Sequence, residues 1–149
     1  VRDAATQIFE TCGTPECSKR DMLVDDTVAL ANLFAELMDA SCLKLRFDVI
    51  NTNGCRLFHV DAITARLICT YRGPGTQYGF SSGMVEPSKI CTVATGKPVL
   101  LRGGLWPESP RSGLLHRSPP IEGKGLTRLV LVLDPIAGPE NETDEIVLH

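Results

Sequence analysis

The chain has no run approaching the roughly 18 or more consecutive apolar residues of a membrane-spanning helix. It also lacks a basic cluster: the net charge is −3 and the Lys and Arg residues are dispersed, which disfavours nucleic acid and anionic membrane surfaces as partners. The start, Val1-Arg-Asp-Ala, lacks the apolar core of a signal peptide, so a cytoplasmic protein is expected. Cysteine is present six times, at Cys12, Cys17, Cys42, Cys55, Cys69 and Cys91, but never as C-x-x-C, the usual mark of a zinc or redox pair. Reduced, mostly buried thiols packing as small hydrophobes are expected, with separate pairing or metal binding at Cys12 and Cys17 as the alternative. No G-x-S-x-G elbow supports a serine hydrolase. Arg72-Gly-Pro-Gly75 fits neither nucleotide fingerprint and reads as a turn. The acidic residues gather at the front and the tail, which leaves no carboxylate pair for glycoside hydrolysis. Repeats and low-complexity blocks are absent.

What is present is a chain of 149 residues, 43% apolar and 22% charged, enough for one domain with a real core. Residues 1–42 read as an N-terminal arm and helix, 43–134 as a β core and 135–149 as an acidic tail. Gly13, Pro15 and Ser18 punctuate the arm, which has room for one short helix. From Asp25, Val28, Ala31, Leu33, Phe34, Leu37 and Met38 recur at helical spacing after an acidic start. Leu43, Leu45, Phe47 and Val49 then alternate with Lys44, Arg46 and Asp48, as in a strand with one wet face. Asn51-Thr-Asn-Gly54 is a turn. Cys55 to Tyr71 is long enough for one bent strand or two short ones. Further strands are expected at Ser88–Thr95, Val99–Leu101, Leu114–Ser118 and Leu126–Asp134, with turns at Arg72–Thr76 and Thr95–Pro98. The class implied is mainly β with an N-terminal helix, as a barrel or a two-sheet jelly roll.

Only three histidines occur, and two of them sit in suggestive company. In Cys55-Arg-Leu-Phe-His-Val-Asp61, one residue separates His59 from Asp61. On a strand, residues two apart project to one face with Cα atoms roughly 6.6 Å apart, so their side chains can converge on one ion. His116, in Leu115-His-Arg-Ser-Pro-Pro120, is the natural third ligand. Two imidazoles and one carboxylate on one side of a metal leave the opposite positions open, the arrangement of non-haem Fe(II) oxygenases. Cys55, four strand residues from His59, is roughly 13 Å away and too far to join them. The plainer alternative is an ordinary polar pair in which Asp61 orients His59.

Arg128 follows His116 by twelve residues, and its fork of donors suits a carboxylate; Val130 and Val132 would wall the same cavity. Against this, Arg128 can simply pair with Glu122 or Asp134. Arg66 and Arg72 read as surface or loop-bracing residues, Trp106 as loop packing ahead of a substrate platform, and terminal His149 as irrelevant.

His-x-Asp on an early strand, a distal His and an Arg shortly after it resemble the Fe(II)/2-oxoglutarate-dependent dioxygenases over roughly residues 55–134. That resemblance implies a double-stranded β-helix (jelly roll, cupin-like), Fe(II) on His59, Asp61 and His116, 2-oxoglutarate held by Arg128 with help from the Tyr71 hydroxyl, and hydroxylation of an unknown substrate. Phe58-His-Val-Asp61, Cys69-Thr-Tyr-Arg-Gly-Pro-Gly-Thr76, His116-Arg-Ser-Pro-Pro120 and Thr127-Arg-Leu are more distinctive. They resemble a bacterial family known as domain of unknown function 1826, which has no assigned reaction and implies zinc as an alternative metal. The segment Gln77–Glu86 looks short for that family, in a region suited to a lid. A zinc-binding protein without oxygenase chemistry and a non-catalytic β-scaffold for a protein partner are therefore the competing functions.

Overall fold

Helix formation begins almost at the first residue. In the computed structural model, which describes residues 1–81 and 86–136, α1 spans Arg2–Thr11 and α2 spans Ser18–Met38. The second helix starts seven residues before the expected Asp25. Pro15 and Gly13 separate the two helices, Cys17 is extended at the N-cap, and Asp21 supplies the acidic first turn. Arg20, Val24, Thr27, Leu30, Ala31 and Phe34 form its buried stripe, with the Arg20 guanidinium donating to Thr14 O at 3.0 Å. A buried arginine masks the apolar periodicity from which a helix start is read. Asp39, at φ 47°, closes α2 in the left-handed region. Among the described residues no helix is long and apolar enough to cross a membrane.

Among the described residues seven strands follow: β1 (Cys42–Ile50), β2 (Ala65–Arg72), β3 (Gln77–Phe80), β4 (Cys91–Thr92), β5 (Pro98–Arg102), β6 (Leu114–Arg117) and β7 (Arg128–Ile136). They form two antiparallel sheets, ordered β1-β7-β2-β5 and β4-β3-β6. The fold is thus mainly β with two helices at its N-terminal end. Two compact units result, one of Val1–Lys44 with Pro135 and Ile136, the other of Leu45–Asp134.

Side-chain alternation explains the core of the second unit. Ile68 pairs with Val132 and Thr70 with Val130, so one face of β2 and β7 carries Ile68, Val130 and Val132, joined by Leu101 of β5. Ile50, Val99 and Leu114 pack against this cluster. On the opposite face Leu67, Cys69, Leu131 and Leu133 are also buried, which is why β7 reads as a continuous apolar run.

Two expected strands differ, and one strand, β3, is unexpected. Cys55–Thr64 is not a strand; its only ladder contact is an isolated bridge at His59, and its carbonyls serve loops instead. The expected Ser88–Thr95 strand shrinks to Cys91–Thr92, because β3 offers only Gln77 and Tyr78 as partners. β3 itself has no periodic pattern and is defined by four pairings with β6. None of the six cysteines is in a disulfide, yet only Cys69 is buried, since Cys12, Cys17 and Cys55 lie on exposed connections. Residues 82–85 of the expected lid, most of the acidic tail and His149 lie outside the described residues.

Candidate metal centre

A two-residue bridge assembles the site. His59 N donates to His116 O and His116 N donates to His59 O, each at 3.0 Å, so the two residues face each other as a hydrogen-bonded antiparallel pair. Directly opposed residues project to the same side, and the imidazole centroids lie 4.5 Å apart at 49°. The third group is Asp61. One oxygen, Oδ1, is 3.4 Å from His59 Nε2, and the other, Oδ2, is 3.2 Å from His116 Nε2. One donor atom from each of the three residues lies within 4.8 Å of the others.

The tautomer of His59 is set locally. Its Nδ1 lies 2.8 Å from Leu57 O, and a carbonyl only accepts, so Nδ1 carries the proton. In the neutral ring Nε2 then keeps its lone pair and turns it toward Asp61, as a metal-ligating histidine must.

The backbone around Asp61 is clamped by the loop after β5. Gly103 N donates to Thr64 O at 2.8 Å, Gly104 N to Asp61 O at 2.8 Å, and Leu105 N to Ile63 O at 3.0 Å. A Cβ on Gly103 would stand 1.9 Å from Ile63 O, so only glycine lets the two segments approach this closely. On the other side, Ser118 N donates to Cys55 O at 2.8 Å.

Three donors about 2.1 Å from one ion, at angles between octahedral and tetrahedral, would stand about 3.0–3.4 Å from one another. The two imidazole-to-carboxylate separations, one to each oxygen of Asp61, fall in that range within a set that spans up to 4.8 Å, and 3.4 Å is long for an N–H···O hydrogen bond. Asp61 Oδ2 is buried and receives no well-directed hydrogen bond, although Arg66 Nη1 lies 3.0 Å away. Its contacts with His116 and Arg66 are therefore ionic rather than aligned. Burial pushes the Asp61 carboxyl up, but the polar contact and charge of His116, then the charges of Arg66 and His59, outweigh it and hold the pKa below the usual value. The carboxylate is ionised at neutral pH, as a ligand requires. The donor set, two imidazoles and an ionised carboxylate, fits a divalent cation.

Arg66 is not a surface residue. Its Nε donates to Asp134 Oδ1 at 2.6 Å and Nη2 to Asp134 Oδ2 at 2.7 Å, while Nη1 faces Asp61. Burial would weaken its charged form, but the hydrogen bond to Asp134 and the charges of Asp134, Asp61 and Asp48 raise its pKa. Nothing about Arg66 or Asp134 singled them out in the sequence except that each interrupts an apolar strand, where a buried charge needs a partner. Arg72, by contrast, is exposed.

Arg128 is 1% exposed and held by neutral oxygens. Nε donates to Pro74 O at 2.8 Å, Nη1 to Ser118 Oγ at 2.9 Å, and Nη2 to Thr70 Oγ1 and Thr76 Oγ1 at 3.3 Å each. The alternative acidic partners are engaged elsewhere, Asp134 with Arg66 and Arg46, and Glu122 with Asn53. Alternation on β7 does put Arg128 on the face of Val130 and Val132, and Ser118 lies two residues beyond His116. Tyr71 is half-buried, its ring centroid 6.4 Å from that of Phe47. Trp106 lies under the Arg102 guanidinium at 4.7 Å, and both Arg102 Nε and Trp106 Nε1 are buried without a hydrogen-bond partner.

Residues 1–134 match the family described as Protein of unknown function (DUF1826). The chain belongs to this family. The match covers both helices and the whole of Leu45–Asp134, and therefore all three donors. No curated protein matches the chain, and neither does any solved structure.

Proposed function

We propose that this DUF1826 protein holds one divalent metal ion on His59, Asp61 and His116, with Fe(II) as the ion and 2-oxoglutarate-dependent hydroxylation as the chemistry. The observation that carries this reading is the convergence of His59, Asp61 and His116, which bring one donor atom each within 4.8 Å of the others. Such a set occupies one side of the ion and leaves the other side for ligands. Fe(II) bound there supplies O₂ activation. The chain's own part is to fix the donors through the His59–His116 bridge and the glycine clamp, and to keep Asp61 ionised. The double-stranded β-helix belongs to this same reading.

Arg128 and Tyr71 are proposed to meet the cosubstrate carboxylate. For Arg128 this requires 2-oxoglutarate to displace Ser118 and the threonine hydroxyls from the guanidinium. Because those donors are already satisfied, zinc binding without redox chemistry is the second reading.

Thermal unfolding under anaerobic conditions with Fe(II), Zn(II) and 2-oxoglutarate separates the two. A 2-oxoglutarate-induced rise in Tm that requires Fe(II) supports the oxygenase. Stabilisation by Zn(II) with no response to 2-oxoglutarate favours the zinc protein, and no response to either metal removes the centre altogether.

A further inference from the structure

Five charged side chains form one line through the sheet and end on the proposed centre. Asp48 and Arg46 of β1 pair at 3.3 Å, Arg46 Nη1 reaches Asp134 Oδ2 of β7 at 3.2 Å, Asp134 takes the Nε and Nη2 arms of Arg66 on β2, and the remaining Nη1 stands 3.0 Å from Asp61 Oδ2. The charges alternate in sign along the whole line. Its outer members, Arg46 and Asp48, are 37% exposed, whereas the Asp134 side chain is 8% exposed. Two parallel N–H···O bonds fix the plane of a guanidinium, so Asp134 decides where Nη1 points. Asp61 Oδ2 is thus met by His116 Nε2 at 3.2 Å and by a guanidinium whose position is set elsewhere, while Oδ1 faces His59 Nε2 at 3.4 Å.

We propose that Arg66 is a positioning residue of the metal centre: gripped by Asp134, it engages Asp61 Oδ2 and leaves Oδ1 to the ion, so that Asp61 binds through a single oxygen. The inference rests on the metal reading above. Its consequence is chemical, because a carboxylate bound through one oxygen occupies one coordination position instead of two and leaves the other open.

The sign of the effect separates positioning from mere proximity. Removing a nearby positive charge would by Coulomb's law tighten binding of a divalent cation. Releasing the carboxylate instead weakens it, by about 10–100-fold if Arg66 behaves as outer-shell partners of metal ligands do. Lysine keeps the charge but has no fork with which to hold Asp134 and Asp61 together.

The test is a Co(II) titration of the full chain, followed by visible absorption, for wild type, Arg66→Lys, Arg66→Gln, Asp134→Asn and the Arg66→Gln/Asp134→Asn pair, with circular dichroism of each metal-free protein. Expected are weaker binding and an altered Co(II) spectrum in both Arg66 variants, weaker binding in Asp134→Asn, and a double variant no weaker than Arg66→Gln alone. Arg66→Lys, which keeps the charge beside Asp134, carries the test should Arg66→Gln not fold. Unchanged or tighter binding with the wild-type spectrum in folded Arg66 variants overturns the positioning role, as does a double variant in which the two losses simply add. Failure of wild type to bind Co(II), or equal binding by His116→Ala, overturns the metal reading and this inference with it.

Discussion

His59 and His116 exchange both of their main-chain hydrogen bonds, at 3.0 Å each, and this single bridge is what brings two imidazoles from distant segments to a centroid separation of 4.5 Å. A hydrogen-bonded antiparallel pair leaves neither side chain a choice of face. The bridge also explains how a donor on an irregular segment meets a donor on β6 without a continuous ladder between them.

Replacing either histidine by alanine should remove a donor while leaving that main-chain bridge available. Metal affinity is expected to fall by more than the roughly 10–100-fold typical of outer-shell changes. The His59 side chain is 31% exposed, so His59→Ala should cost the metal-free protein no more than about 1 kcal/mol. Equilibrium dialysis with Zn(II), alongside urea unfolding of the metal-free variants, reads both quantities.

Gly103→Ala drives a Cβ to within 1.9 Å of Ile63 O, a backbone atom that cannot step aside without moving Asp61. The loop should withdraw, losing the hydrogen bonds to Thr64 and Asp61, at a cost of about 1–3 kcal/mol. Metal affinity should fall with it although no donor has changed. Chemical denaturation and metal titration of the same variant check the coupling.

Arg128→Lys retains the charge but cannot serve Pro74 O, Ser118, Thr70 and Thr76 together. With buried oxygens left unpaired, a loss of about 2 kcal/mol or more is expected in urea unfolding. If Arg128 also takes the cosubstrate, the affinity for 2-oxoglutarate measured by calorimetry with Fe(II) present falls further than metal affinity does.

Leu131→Ala separates core loss from site loss. Leu131 is fully buried on the face of β7 opposite Arg128, Val130 and Val132, and its truncation should cost about 2–5 kcal/mol. Metal affinity measured below the unfolding transition should stay within a few-fold of wild type, because Leu131 is neither a donor nor a partner of one.

The parts of this fold that the sequence declares are those whose pattern is local. β1 shows its alternation in the sequence, although Val49 proves exposed and Arg46 and Asp48 half-buried; β7 shows its branched apolar run, and Asn51–Gly54 and Thr95–Gly96 their turns. β3 stays silent because four residues joined to β6 across the chain carry no period of their own. The early start of α2 is hidden by Arg20, whose burial is satisfied by Thr14 and Glu10 rather than announced by an apolar side chain. At the site, residue type alone nominates His59, Asp61 and His116, but regular strand alternation is not what unites them; the bridge and the glycine clamp are. Arg66 and Asp134 stay hidden, since a charge inside an apolar run discloses its partner only once strands are adjacent.

A single ion held among His59, Asp61 and His116 is open to direct observation. Crystals of the full chain grown with Zn(II) or anaerobically with Fe(II), recorded at the metal's absorption edge, test it most directly. One anomalous peak is expected about 2.0–2.2 Å from a nitrogen of each histidine and from an oxygen of Asp61. A peak elsewhere, or none at saturating metal, would contradict it.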